Sequence, residues 1–280
     1  MKPCLKTEIW KALHNWFFWS AVVIGTVFAL LDVVECWQMS KPMLEMVLTS
    51  PRFEKSFVTM SITQRFMAIT GTITTGSRIF YTVWPVLAAL PFGWSYWKEK
   101  ESGVFDQIVV RSGRKRYLTA KLTAMFLAGG LALMIPVTVN LLVVAQIYRT
   151  VRPEILAEVD RISNGYFLSE LFYTHPFAFC LIWCGMTFLW GGVTSCLCFV
   201  VGHKPKFMVI SMLTPLVLYT LIEMATSLLY SPRNIETSPL HLVNTGTFSP
   251  NPGWVIFPEM AILLLIACAA GYRWVVKHEL

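Results

Sequence analysis

The segment from Trp97 to Lys121 reads WKEKESGVFDQIVVRSGRKRYLTAK, a charged stretch between two others apolar enough to cross a bilayer. Within it Val104, Phe105, Ile108 and Val109 fall at i, i+1, i+4 and i+5, which places them on one face of a short helix, with Asp106, Gln107 and Arg111 pointing elsewhere. Ser102 is a candidate cap at the start and Gly113 at the end. A short amphipathic helix held at a membrane surface by a span on either side offers an apolar face to lipid or to a groove on a soluble partner.

Working outward, the rest of the chain is membrane-like. Of its 280 residues 55% are hydrophobic and 14% charged, and the mean hydropathy is +0.58; a soluble domain carries roughly 25% charged residues. A helix needs about 20 apolar residues to cross the hydrocarbon core. Six stretches qualify, at 17–36, 79–97, 118–147, 176–201, 207–229 and 254–276, and the alternation expected of a barrel is absent. The expected fold is an all-α membrane protein of one domain, residues 1–280, with six transmembrane helices. Residues 1–16, with Leu5, Ile9, Leu13 and Trp16 at helical spacing against Lys6, Lys11 and His14, predict an amphipathic helix lying on the membrane surface.

Lysine and arginine orient the bundle. With the amino terminus inside, the cytoplasmic segments hold 14 of the 23 Lys and Arg residues against five acids, although the outer segments are far longer. The positive-inside rule therefore accounts for the net charge of +7 without nucleic acid, and both termini are expected in the cytoplasm. No small-residue cleavage site ends the first span, and Asp32 and Glu35 follow within it, so it is expected to be retained. The ending Lys277-His278-Glu279-Leu280 slightly resembles an endoplasmic reticulum retrieval signal, but that signal must face the lumen.

Chemistry of its own is not expected. No phosphate-binding GxxxxGK[ST] loop, HExxH or GxSxG occurs, and the five histidines form no local ligand cluster. The seven cysteines fall largely within apolar spans; Cys180 and Cys184 share a helix face with no companion ligand nearby, so packing is the expected role. Gly129-Gly130 and Gly191-Gly192 lie in apolar spans and are expected to serve helix packing. Three polar residues in or near spans are candidates for a pathway or for interhelical hydrogen bonding: Glu223, the only acid deep in a predicted span, Asn140, and Asp32.

The 97–121 segment resembles one found after the second span in permeases of the type-2 ATP-binding-cassette exporter family. Glu101 and Gly103 look like that family's acid and glycine, Val104 to Arg111 like its coupling helix, Gly113 to Arg116 like the following turn, and Lys121 like the lysine that opens a long third span. Six spans, cytoplasmic termini and an amphipathic amino-terminal helix are similar to the family over nearly the whole length. The turn departs from it, reading Arg-Ser-Gly where many members have proline, and the first outer loop is longer than in the simplest members. The resemblance implies a permease subunit in a bacterial plasma membrane. It would pair with a second permease chain, identical or not, and dock separate cytoplasmic ATPase subunits that bind ATP and Mg; this chain would hold no cofactor. Glu101, Gly103, Val104, Phe105, Ile108, Val109, Arg111 and Lys121 would form or frame the ATPase contact. The cargo stays open, and so does a different class, a non-transporting six-span immunity or sensor component. An intramembrane enzyme would require polar residues of several spans to converge.

Overall fold

The computed structural model describes residues 2–49, 61–70, 74–150, 167–200, 208–228, 238–243 and 252–277. The residue composition leaves helix as the natural backbone state, since a chain this apolar must satisfy its peptide groups internally. Helix α1 spans Lys2–Leu13 and α2 Trp16–Thr49; the turn α3 is Met67–Thr70, and α4 is Thr75–Ala89. Helices α5, Ser95–Glu101, and α6, Val104–Ser112, lead into α7, Arg114–Ile147. The remainder comprises α8 (Ser169–Thr174), α9 (Pro176–Leu197), α10 (Met208–Leu228), α11 (Pro239–Leu242) and α12 (Gly253–Tyr272). The described residues contain no strand, only an isolated bridge between Ser61 and Arg149.

Among the described residues five helices are long and apolar enough to cross a membrane: Trp16–Pro42, Arg114–Ile147, Pro176–Val200, Met208–Thr226 and Gly253–Lys277. The difference from the six expected lies at 79–97. There α4 has 15 residues and stops at Ala89, a turn follows at 90–94, and the chain resumes as α5. Pro91 has no N–H to continue the ladder, and Gly93 passes so close to Cys198, just beyond α9, that a Cβ on it would lie 2.5 Å from the Cys198 Sγ and 2.6 Å from the Ala89 carbonyl oxygen at the end of α4. Asn15, in the bend between α1 and α2, donates from Nδ2 to the Pro91 carbonyl at 2.8 Å while its Oδ1 accepts from Phe18 N at 2.7 Å. One amide thus joins two chain breaks. At the other end α2 runs on through Pro42 to Thr49, so the first outer segment begins as helix and not as loop.

The centre of the bundle is the crossing of α7 with α9. Gly129 and Gly191 meet backbone to backbone, since a Cβ on either would lie 2.6 to 2.7 Å from the other's carbonyl oxygen. Gly130 faces Phe188 and Gly192 faces Phe126, and these two rings meet edge-on at 5.7 Å. The paired glycines therefore serve packing, the small-residue contact that lets apolar helices approach. Beside them α4, α9 and α10 share an aromatic cluster of Trp84, Trp190 and Tyr219, whose hydroxyl lies 2.8 Å from Thr194 Oγ1. The link at 201–207, the ends of the expected spans 176–201 and 207–229 that fall in 201–207 and at 229, the stretches 230–237 and 244–251, and the 278–280 ending lie outside the described residues.

Candidate functional site

Helix α6 is cut from its neighbours by two glycines that no other residue replaces without strain. Gly103 has φ 70° and Gly113 φ 83° with ψ 142°, both in regions that disfavour a Cβ. Ser102 does not cap α6: its Oγ donates to the Lys98 carbonyl at 2.8 Å, closing the end of α5, because the left-handed Gly103 already occupies the cap position. The basic run is not a turn either. Only Gly113 is non-helical, and Arg114, Lys115 and Arg116 form the first turn of α7.

The apolar face of α6 splits in two. Phe105, expected as a contact for another protein, is 1% exposed, meeting Tyr96 of α5 at 5.8 Å and Tyr117 of α7 at 5.3 Å, both edge-on. Ile108 and Val109 are half-buried against the same core. The large ring turns inward because it alone fills the angle between α5 and α7. What α6 shows to its surroundings is Val104 and, at 86% exposure, Val110, together with Asp106, Gln107, Arg111 and the preceding Glu101. Val110 was not singled out from the sequence, though Ile108-Val109-Val110 carried a signal: three successive apolar residues cannot all face inward on one helix.

Beneath α6 a group of charges is folded into the protein. Lys121 of α7 is 0% exposed; its Nζ lies 2.9 Å from Glu8 Oε2 of α1 and 2.8 Å from Glu99 Oε2 of α5. Lys11 Nζ closes the ring at 2.8 Å from Glu8 Oε1 and 3.3 Å from Glu99 Oε1, and Tyr117 Oη donates to Glu99 Oε2 at 2.6 Å. The four charges balance. The Phe92 ring centroid lies 4.4 Å from Lys121 Nζ and takes up its remaining side. Burial pushes the Glu99 carboxyl up, but the Lys121 charge and hydrogen bonds from Lys121 and Tyr117 outweigh it and hold Glu99 below its ordinary value of 4.5. Burial likewise opposes the charge on Lys11, and the Glu8 hydrogen bond with the Glu99 and Glu8 charges raises it above 10.5. Lys121, expected to frame the α6 contact, is thus the interior anchor of the helix that follows α6.

The other polar candidates lie away from α6. Asn140 Nδ2 donates to the Ala29 carbonyl at 2.9 Å and to Asp32 Oδ2 at 2.8 Å, and its Oδ1 accepts from Met67 N at 3.2 Å. Asp32 also accepts from Thr74 Oγ1, and Glu35 accepts from Gly76 N at 3.2 Å. Two acids of α2 therefore meet the amino-terminal turn of α4, where unpaired N–H groups favour negative charge. Asp32 is fully buried there. Glu223 does not lie deep: it is near the end of α10, about two-fifths exposed, with its Oε1 3.1 Å from His241 Nε2 of α11. Its carboxylate finds its partner on α11.

The cysteines of the described residues are free thiols, and no three His, Cys, Asp or Glu side chains among those residues converge on a metal-sized site. No protein-family model and no curated protein matches the sequence.

Proposed function

We propose that this chain is the permease subunit of an ATP-driven exporter of the type-2 ATP-binding-cassette kind, with α6 as the helix on which a separate ATPase docks. The observation that carries the reading is the way α6 is mounted. It is bounded by two strained glycines, clamped from behind by Phe105, and seated on a buried ring of charges shared by α1, α5 and α7. A helix so mounted moves as a unit with the base of α7, as a coupling element must. Its exposed strip of Val104, Gln107 and Val110, rimmed by Glu101, Arg111, Lys115 and Arg116, has the apolar centre and charged edge of a docking surface.

In this reading α4 and the first residues of α5, over 79–97, make the sixth crossing, broken at Pro91, and both termini lie in the cytoplasm with α6. ATP and Mg are held by the ATPase, and closure of two ATPases on their nucleotide pulls on α6 and, through Lys121, on α7 and α1. Two permease chains enclose the pathway.

The test is co-purification with a cognate ATPase subunit, comparing the unaltered chain with Val110→Asp and Val104→Asp. Both variants insert and fold, because neither residue is buried, and both lose ATPase association and stimulation. Undiminished association in the two variants overturns the reading.

A further inference from the structure

Two helices carry the same pattern on their uncovered faces. On α2, Trp19 and Trp37 are exposed and 18 residues apart; on α12, Trp254 and Tyr272 are exposed and also 18 residues apart. Eighteen residues are about five helical turns, so each pair stands on one stripe, its members about 27 Å apart along the axis. Between them the exposed large side chains on the stripe are aliphatic or Phe, such as Val23, Val27 and Leu30 on α2 and Phe257 and Leu265 on α12. That separation is close to the roughly 30 Å thickness of a bilayer's hydrocarbon core, and Trp and Tyr collect where hydrocarbon meets headgroups.

The pattern is selective. Helix α10 also exposes an apolar strip of Val209, Leu213, Val217 and Leu221, but no exposed Trp or Tyr marks either end of its described length. The charges follow the aromatics: at the end shared by α1, Trp19 and Tyr272, the side chains of Lys6, Lys98, Arg273 and Lys277 are exposed. Lys98 Nζ sits 5.2 Å from the Trp94 ring and Arg273 Cζ 5.4 Å from that of Trp274, which holds cations at the level of the indoles. Four exposed cations on this rim complement anionic headgroups.

We infer that the outward faces of α2 and α12 are the lipid-facing walls of this protein, bounded by Trp19 and Tyr272 at one headgroup layer and by Trp37 and Trp254 at the other, with anionic phospholipid gathered at the α1 end. A second copy of the chain does not cover these faces. The inference rests only on the membrane-spanning character of the helices. Failure of ATPase docking on α6 leaves it standing, and its own failure leaves the docking untouched.

The experiment uses the full chain in vesicles of phosphatidylcholine and phosphatidylglycerol. Val27→Cys and Leu265→Cys place a thiol midway along each stripe, and Lys41→Cys and Arg273→Cys place one just beyond an end. A membrane-impermeant maleimide, applied from both sides, labels positions 41 and 273 and leaves 27 and 265 at the background of the unaltered chain. A nitroxide at 27 or 265 is relaxed more by oxygen than by aqueous nickel. A disulfide-linked dimer formed on oxidation at 27 or 265, or maleimide labelling there, overturns the assignment. For the anionic rim, spin-labelled phosphatidylglycerol shows a larger motionally restricted fraction than spin-labelled phosphatidylcholine, and the excess is lost in Lys6→Glu/Lys98→Glu. Equal fractions in the unaltered chain overturn that part.

Discussion

Lys121 Nζ lies 2.8 Å from Glu99 Oε2 with no part of the lysine side chain exposed. A lone ammonium in that position is prohibitive, so the lysine persists only because Glu8 and Glu99 reach it from two other helices. The pair is therefore a joint: it brings α1 and α5 to the foot of α7, where α6 ends.

Removing one partner of such a joint leaves a buried charge. Lys121→Met is expected to cost about 3–5 kcal/mol, read as a large fall in melting temperature in detergent. Adding Glu8→Gln to it should cost less than the two changes separately, because the second change removes one of the stranded carboxylates.

The ring also sets a pH dependence. Glu99 is held below 4.5, so its stabilisation is present above that value and is lost as the pH falls through the lowered one. Lys11 is raised above 10.5, so its stabilisation is present below that value and is lost as the pH rises through the raised one. The melting temperature should be level between these limits and fall on both sides. Glu99→Gln should flatten the acid side and also lessen the alkaline fall, because the Glu99 charge is one of those that raise Lys11.

Phe105 and Val110 stand five residues apart on one short helix and should behave in opposite ways. Phe105→Ala empties a site between Tyr96 and Tyr117 and is expected to cost about 3–5 kcal/mol. Val110→Ala, at the surface, should stay within about 0.5 kcal/mol. Thermal unfolding of the two variants side by side checks this.

Two kinds of glycine should separate as well. Gly113→Ala meets open space and carries only backbone strain, on the order of 1–3 kcal/mol. Gly129→Val forces α7 away from Gly191 and Ser195 and should abolish recovery of folded protein on size-exclusion chromatography.

Asn140→Leu removes the amide that serves Ala29, Asp32 and Met67 together. Each buried group left without a partner costs about 1–3 kcal/mol. The loss in melting temperature should be reduced when Asp32→Leu is added, since the carboxylate is then gone as well.

The apolar runs, the two glycine pairs and the position of α6 were all legible in the sequence, because each depends on local composition and a helical period that neighbours in the chain determine. The break at 90–94 was half legible. Pro91 was visible as an interruption, but the α1–α2 bend whose Asn15 holds the turn is 76 residues away. Nor did spacing distinguish Phe105 from Val110, since both lie on apolar positions of a helix only nine residues long.

By itself, then, the sequence determined that this is a helical membrane protein with a charged helix set between apolar ones, since transfer of side chains from water to hydrocarbon is a property of each residue and its near neighbours. Only the tertiary structure decided which charges are inside and what they hold. Glu8, Glu99 and Lys121 are separated by up to 113 residues, and their meeting depends on three helices packing at one point, which no local pattern records. The same holds for Glu223, which sequence places deep in a span and packing places beside His241.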